Sequence, residues 1–168
     1  MQNKKASPLN SPDWAFLRRH PVHLLAFGFG TGLSPKAPGT VGTLVGFPLF
    51  FLLMPLPLTA QLLLLALLFV VGVGVCEQTG RALGVADYGG IVWDEVVAFA
   101  LVLAFVPASW LWWGLAFGAF RLFDIVKPFP IRQLEARIKG GFGVMLDDML
   151  AAGYSIALLQ LLQWVMYG

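Results

Sequence analysis

The charged residues Asp, Glu, Lys and Arg of this 168-residue chain are confined to a few short stretches, and the intervals between those stretches hold none. After Arg19 they occur only at Lys36, from Glu77 to Glu95, and from Arg121 to Asp148. Residues 37–76, 96–120 and 149–168 contain no Asp, Glu, Lys or Arg. A charge at the centre of a bilayer costs about 2.5–3.5 kcal/mol even on the lenient insertion scale, so such intervals are read as membrane-embedded. Hydrophobic residues make up 58% of the chain and charged residues 12%, against about 25% charged in soluble domains. The mean hydropathy of +0.79 agrees. This argues against a soluble enzyme. A net charge of only +2, with no dense Lys/Arg stripe, also excludes disorder and a nucleic-acid partner.

The expected architecture is all-α: a compact multihelical integral membrane protein with about five embedded helices. The first uncharged interval breaks at Met54-Pro55-Leu56-Pro57-Leu58, where prolines remove backbone donors. It reads as a hairpin with arms over 41–54 and 59–76, the first kinked at Pro48. The second interval breaks at Val106-Pro107-Ala108-Ser109, with Trp110, Trp112 and Trp113 following as an aromatic belt. A last helix is expected over 148–167. The arms over 41–54 and 96–106 reach only about 16–21 Å at 1.5 Å per residue, so they are expected to enter one leaflet of a core about 30 Å thick. Two hairpins bring the charged feet to one side, and the basic residues Lys4, Lys5, Arg18 and Arg19 mark that side as cytoplasmic. Residues 1–22 read as a basic cytoplasmic or interfacial segment without a cleavable signal, and 23–168 as one membrane-embedded domain. Cys76, the single cysteine, reads as a small packing residue.

Eight of the nine acidic residues lie between positions 77 and 148. Asp94 and Glu95, Asp124, and Asp147 and Asp148 are expected at the feet of embedded helices. A tandem carboxylate at a helix start is also ordinary capping. Three acidic sites on one face repel unless a cation neutralises them, and hard oxygen donors suit Mg²⁺ or Mn²⁺. Arg121, Asp124 and Lys127 recur every three residues and fall along one side of a helix before Pro128. They give a ligand and two cations, or a plain ion pair. The glycine-rich run Gly28 to Thr43 precedes an embedded helix, with Thr40 as an expected N-cap and Lys36 as a nearby point charge. Such a run forms either an anion-binding nest or close helix packing. A second cluster, Gly140, Gly141 and Gly143, is expected to turn the chain back under the site. His20 and His23 read as interfacial, and Trp93 as an interface anchor.

Carboxylates, cations and glycine turns at one membrane face point to phosphate chemistry on a lipid headgroup. The cysteine phosphatase spacing is missing, because Ala82 stands six positions after Cys76. Asp-x-Asp and Ser-Gly-His elements, and the Asp-rich motif of CDP-alcohol phosphotransferases, are also absent. Four stretches carry a resemblance: HLLAFGFGTGLSPKAPGTVGT from His23, IVWDE from Ile91, FRLFDIVKPFPI from Phe120, and GGFGVMLDDMLAAG from Gly140. In order and spacing they resemble the phosphatidylglycerophosphatase A family of bacteria from about His23 to Gly153.

That resemblance implies a multi-pass, Mg²⁺-dependent phosphatase of the inner membrane that converts phosphatidylglycerophosphate to phosphatidylglycerol and inorganic phosphate at the cytoplasmic face. In this reading Asp94, Glu95, Asp124, Asp147 and Asp148 hold Mg²⁺ and serve catalysis. Arg121, Lys127, Lys36 and backbone amides from Ser34 to Thr40 bind the phosphate. The partners are the lipid substrate and the bilayer, with no nucleotide. Attack by water and attack by an aspartate both remain open. A cation-binding, transporter-like module without hydrolysis is the alternative, and its signature would be charges at the middle of apolar spans, which here are empty.

Overall fold

A computed structural model describes residues 11–167, and Lys4 and Lys5 lie outside the described residues. Among those described there are nine α-helices and no strand: α1 Trp14–Arg19, α2 Pro21–Ala26, α3 Pro38–Leu44, α4 Gly46–Leu53, α5 Leu58–Leu83, α6 Trp93–Leu103, α7 Trp110–Val126, α8 Ile131–Arg137 and α9 Gly140–Tyr167. A 3₁₀ segment, Gly28–Leu33, joins α2 to the loop before α3. Of the two expected hairpins, α6 packs against α7, whereas α3 and α4 pack chiefly against α6 rather than against α5, so the first pair of arms does not close on itself.

Two helices, α5 and α9, are long and apolar enough to cross a membrane. Only 22% of the most apolar window of each is buried. Leu63, Leu67 and Val70 on α5, and Leu161, Trp164 and Val165 on α9, are exposed. Long apolar helices that leave these faces uncovered fit a lipid environment better than a soluble core.

The break in the first arm falls at Val45, between α3 and α4, rather than at Pro48 itself. Pro48 lacks the amide that would bond the carbonyl of Leu44, and its ring crowds that carbonyl. The outer turns are closed by side-chain hydrogen bonds. Gln61 Nε2 donates to the carbonyl of Leu56 at 2.9 Å. Gln160 Nε2 on α9 donates to the carbonyl of Phe105 at 2.6 Å, so the far end of α9 lies against the α6–α7 turn. Ser109 caps α7 by accepting the amide of Trp112 at 3.4 Å.

α9 packs against α5, α6 and α7. Helix α6 lies at the centre, with Val96, Val97, Ala98, Phe99, Ala100, Val102 and Leu103 fully buried. Trp93 belongs to this core rather than to an interface belt: it is 5% exposed, and its indole donates to the carbonyl of Leu68 at 3.4 Å. Gly72 makes room for it, since a Cβ there would lie 2.9 Å from the indole and 2.6 Å from Met145 Sδ. Cys76 is buried 3.9 Å from Met145 Sδ, as a packing residue should be. Trp110 is exposed as the belt expectation requires, whereas Trp112 is buried.

Candidate active site

The five expected carboxylates come from three helices and line one cavity of about 430 Å³. Asp94 and Glu95 occupy the first turn of α6. The entry to α6 is fixed by the amide of Val92, which donates to the carbonyl of Ala26 at 2.9 Å. Asp124 projects from the last turn of α7. Asp147 and Asp148 sit two turns inside α9 rather than at its foot, because the helix begins at Gly140 and not near 148. The cluster Gly140, Gly141 and Gly143 is therefore a helix start packed against a neighbour, and only Gly140, at φ +78°, takes a conformation that favours glycine.

Arg121 ties two of these elements together. Its Nη1 lies 2.6 Å from Asp124 Oδ2 and 3.2 Å from Glu95 Oε1. Thr43, fully buried on α3, is 3.2 Å from Glu95 Oε2 and accepts from Arg121 Nη1 at 3.3 Å. Glu95 approaches the backbone of α3 so closely that a Cβ on Gly39 would lie 2.3 Å from Oε1. The side chain of α6 is thus locked between α3 and α7.

Lys127 follows α7 in a left-handed conformation, φ 46° and ψ 69°. Its Nζ lies 2.9 Å from Glu135 Oε1 on α8 and 3.2 Å from Asp147 Oδ2 on α9. Burial pulls the Lys127 ammonium pKa down, but the hydrogen bond to Glu135 and the charge of Asp147 outweigh it and hold it above the usual lysine value. Lys127 is therefore charged at neutral pH. The three-residue spacing of Arg121, Asp124 and Lys127 does place all three on the cavity, although Lys127 lies one residue past the helix.

One oxygen from each of Glu95, Asp124 and Asp148 lies within 4.8 Å of the other two. Asp94 Oδ1, Asp147 Oδ1 and Asp148 Oδ2 are buried without a hydrogen-bond partner among the described residues. Unpartnered buried carboxylate oxygens are costly, and an all-oxygen donor set fits a hard divalent cation such as Mg²⁺.

Of the expected Ser34 to Thr40 segment, Ala37, Pro38 and Gly39 line this cavity, whereas Ser34, Lys36 and Thr40 do not. Lys36 is exposed, and its carbonyl accepts the Ser34 hydroxyl at 2.9 Å. Thr40 lies inside α3 and is not its N-cap, which is Ala37, left-handed at φ 46°. Pro38 starts the helix earlier than the threonine, as its fixed φ allows. His23 stacks on Phe16 at 4.4 Å, and its Nδ1 is 3.0 Å from Thr79 Oγ1. Burial first, then the charges of His20 and Arg19, lowers its pKa. His20 caps α2 by accepting the amide of Val22 at 3.2 Å.

Thr43, Asp87, Glu135 and Lys139 were not singled out by the sequence, yet Thr43 touches the Glu95–Arg121 pair and the other three line the cavity. Thr43 lies one helical turn after Thr40, so only the true start of α3 would have distinguished them. Glu135 sits in a charged amphipathic segment where solvated glutamates are ordinary.

Comparison with known proteins bears on what this cavity does. Among curated proteins, a phosphatidylglycerophosphatase A of Haemophilus influenzae is 46% identical over 159 residues, covering 94% of this chain and 98% of that protein. A phosphatidylglycerophosphatase A of Escherichia coli K12 is 42% identical over 141 residues, covering 83% and 82%. A Bacteroides thetaiotaomicron protein, named provisionally as a phosphatidylinositol-3-phosphatase, is 41% identical and covers 84% and 93%. No solved structure matches. The profile of phosphatidylglycerophosphatase A matches residues 24–163, a span that contains every carboxylate and cation lining the cavity, and the chain belongs to the phosphatidylglycerophosphatase A family.

Proposed function

We propose that this chain hydrolyses the terminal phosphate of phosphatidylglycerophosphate, giving phosphatidylglycerol and inorganic phosphate, with Mg²⁺ and at the cytoplasmic face of a bacterial inner membrane. The observation that carries the reading is the close approach of Glu95, Asp124 and Asp148 beside Arg121 and Lys127 in one cavity. The names of the two phosphatidylglycerophosphatase A relatives support the substrate.

Glu95, Asp124 and Asp148 would hold the cation, with Asp94 and Asp147 completing or supporting the shell. A divalent cation there supplies Lewis-acid stabilisation of charge on the phosphoryl oxygens. Lys127 offers a charged donor that can pass from Glu135 to a phosphate oxygen. Arg121 balances Glu95 and Asp124 and sets their direction. Asp147, next to Lys127, would accept the proton of an attacking water. In the net reaction the water oxygen bonds phosphorus, the bond from phosphorus to the glycerol oxygen breaks, and that oxygen leaves protonated. Direct attack by an aspartate is the second route, and a phosphoenzyme trapped after denaturation would identify it. The exposed Lys36 and the Ser34 to Thr40 backbone would act at the rim, on the headgroup as it enters.

The test is release of inorganic phosphate from phosphatidylglycerophosphate by the detergent-purified protein, with Mg²⁺ and with EDTA. Metal-dependent release is expected. No release from folded protein would overturn the substrate assignment, and a parallel assay on phosphatidylinositol 3-phosphate would reveal the chemistry named for the third relative.

A further inference from the structure

The geometry points to Glu77 as a positioning residue that sets Asp147 and Asp148 by anchoring the first turn of α9, an inference that rests on the metal-holding role proposed for those aspartates. Glu77 lies near the end of α5 and does not line the large cavity. Its Oε2 accepts the amide of Gly141 at 2.7 Å, and its Oε1 accepts Arg81 Nε at 2.7 Å. Gly141 is the second residue of α9, where backbone amides have no acceptor within their own helix. A carboxylate supplied by α5 thus does the work of an N-cap and complements the positive end of the helix.

The approach depends on the two glycines. A Cβ on Gly140 would lie 2.5 Å from Glu77 Oε2, and one on Gly141 would lie 2.0 Å from the carbonyl oxygen of Val73. From Gly141 to Asp147 and Asp148 the helix continues without proline for six and seven residues, about 9–10.5 Å. Fixing the first turn therefore fixes the height and rotation at which both aspartates enter the cavity. One oxygen of Asp148 lies within 4.8 Å of oxygens of Glu95 and Asp124, and whenever these carboxylates are ionised without a cation their repulsion favours separation of the helices. Glu77 opposes that separation through α5.

The test compares Glu77→Ala, Glu77→Gln and Glu77→Asn. Mn²⁺ affinity is read by electron paramagnetic resonance of the lipid-free protein in detergent, and kcat and KM are then measured with Mg²⁺. Loss of an outer-shell support typically weakens metal affinity by about 10- to 100-fold, and that weakening is expected for Glu77→Ala, with kcat lowered and lipid KM little changed. Glu77→Gln keeps a carbonyl oxygen for the Gly141 amide and is expected to restore wild-type affinity to within about threefold. Glu77→Asn is one methylene short and should behave like alanine. If alanine fails to fold, the contrast between glutamine and asparagine decides. Wild-type Mn²⁺ affinity in Glu77→Ala, or equal loss in Glu77→Gln, would overturn the inference. Wild-type protein that binds Mn²⁺ but releases no phosphate would remove the substrate assignment and leave Glu77 in its role. Wild-type protein that binds no Mn²⁺ would overturn both the metal site and the inference.

Discussion

Arg121 and Lys127 are both cations of α7 and its cap, yet their surroundings give them different consequences. Arg121 is held between two carboxylates, at 2.6 and 3.2 Å, and supports their placement. Lys127 holds Glu135 and Asp147 at the cavity wall, where a phosphate oxygen can replace a carboxylate oxygen. Asp148→Asn should lower Mg²⁺-dependent turnover by about 100-fold or more, since disturbing even the outer shell of a metal costs 10- to 100-fold. Lys127→Ala should instead raise KM by about tenfold, the scale of one charged hydrogen bond, with a smaller effect on kcat. Steady-state kinetics on the two variants checks both, and an unchanged KM for Lys127→Ala would remove its phosphate role. At this scale the carboxylates were legible because tandem acids beside uncharged spans are rare by chemistry. Thr43 and Glu135 were not, since a buried threonine and a glutamate on an amphipathic turn look ordinary until their neighbours are in place.

The helices themselves show which glycines are structural requirements. In α9, Gly141 faces the backbone of α5, whereas Gly153 has nothing within 4 Å of an added Cβ. Gly141→Ala should therefore destabilise the protein by about 1–3 kcal/mol, the usual cost of overpacking, because a backbone carbonyl cannot move aside. Gly153→Ala should be neutral or stabilise by about 0.5–1 kcal/mol through helix propensity. Thermal unfolding in detergent measures both, and similar shifts would show that the α5–α9 approach does not depend on Gly141. The helix breaks were readable from Met54 to Leu58 and from Val106 to Ser109, where prolines sit between uncharged runs, but the packing of α4 on α6 instead of α5 was not. The start of α9 was not, because Gly140, Gly141 and Gly143 carry the local signal of a turn while their tertiary role is to let two helices touch. That misplacement of eight residues is what put Asp147 and Asp148 at a foot instead of inside the helix.

For the whole molecule, the asymmetry of charge predicts how it lies in the membrane. Arg121, Lys127 and Lys139 line the cavity, and Arg132 and Arg137 lie on adjacent α8. The opposite end, with the turns at 54–57 and 104–109, carries no Lys or Arg. Positive residues are retained on the cytoplasmic side, so the cavity should open there and the Phe105–Ser109 turn should lie outside. With α6 only 11 residues long, about 16 Å, its turn would stop short of the far surface of a core about 30 Å thick unless the bilayer thins around Trp110. Two single-cysteine variants test the orientation. Cys76 is fully buried and can be replaced by alanine, then Ala108→Cys and Arg137→Cys introduced separately at exposed positions. A membrane-impermeant maleimide added to spheroplasts should label residue 108 directly and residue 137 only after the membrane is permeabilised. The reverse pattern would place the cavity on the outer face and would require the lipid phosphate to be presented from that side.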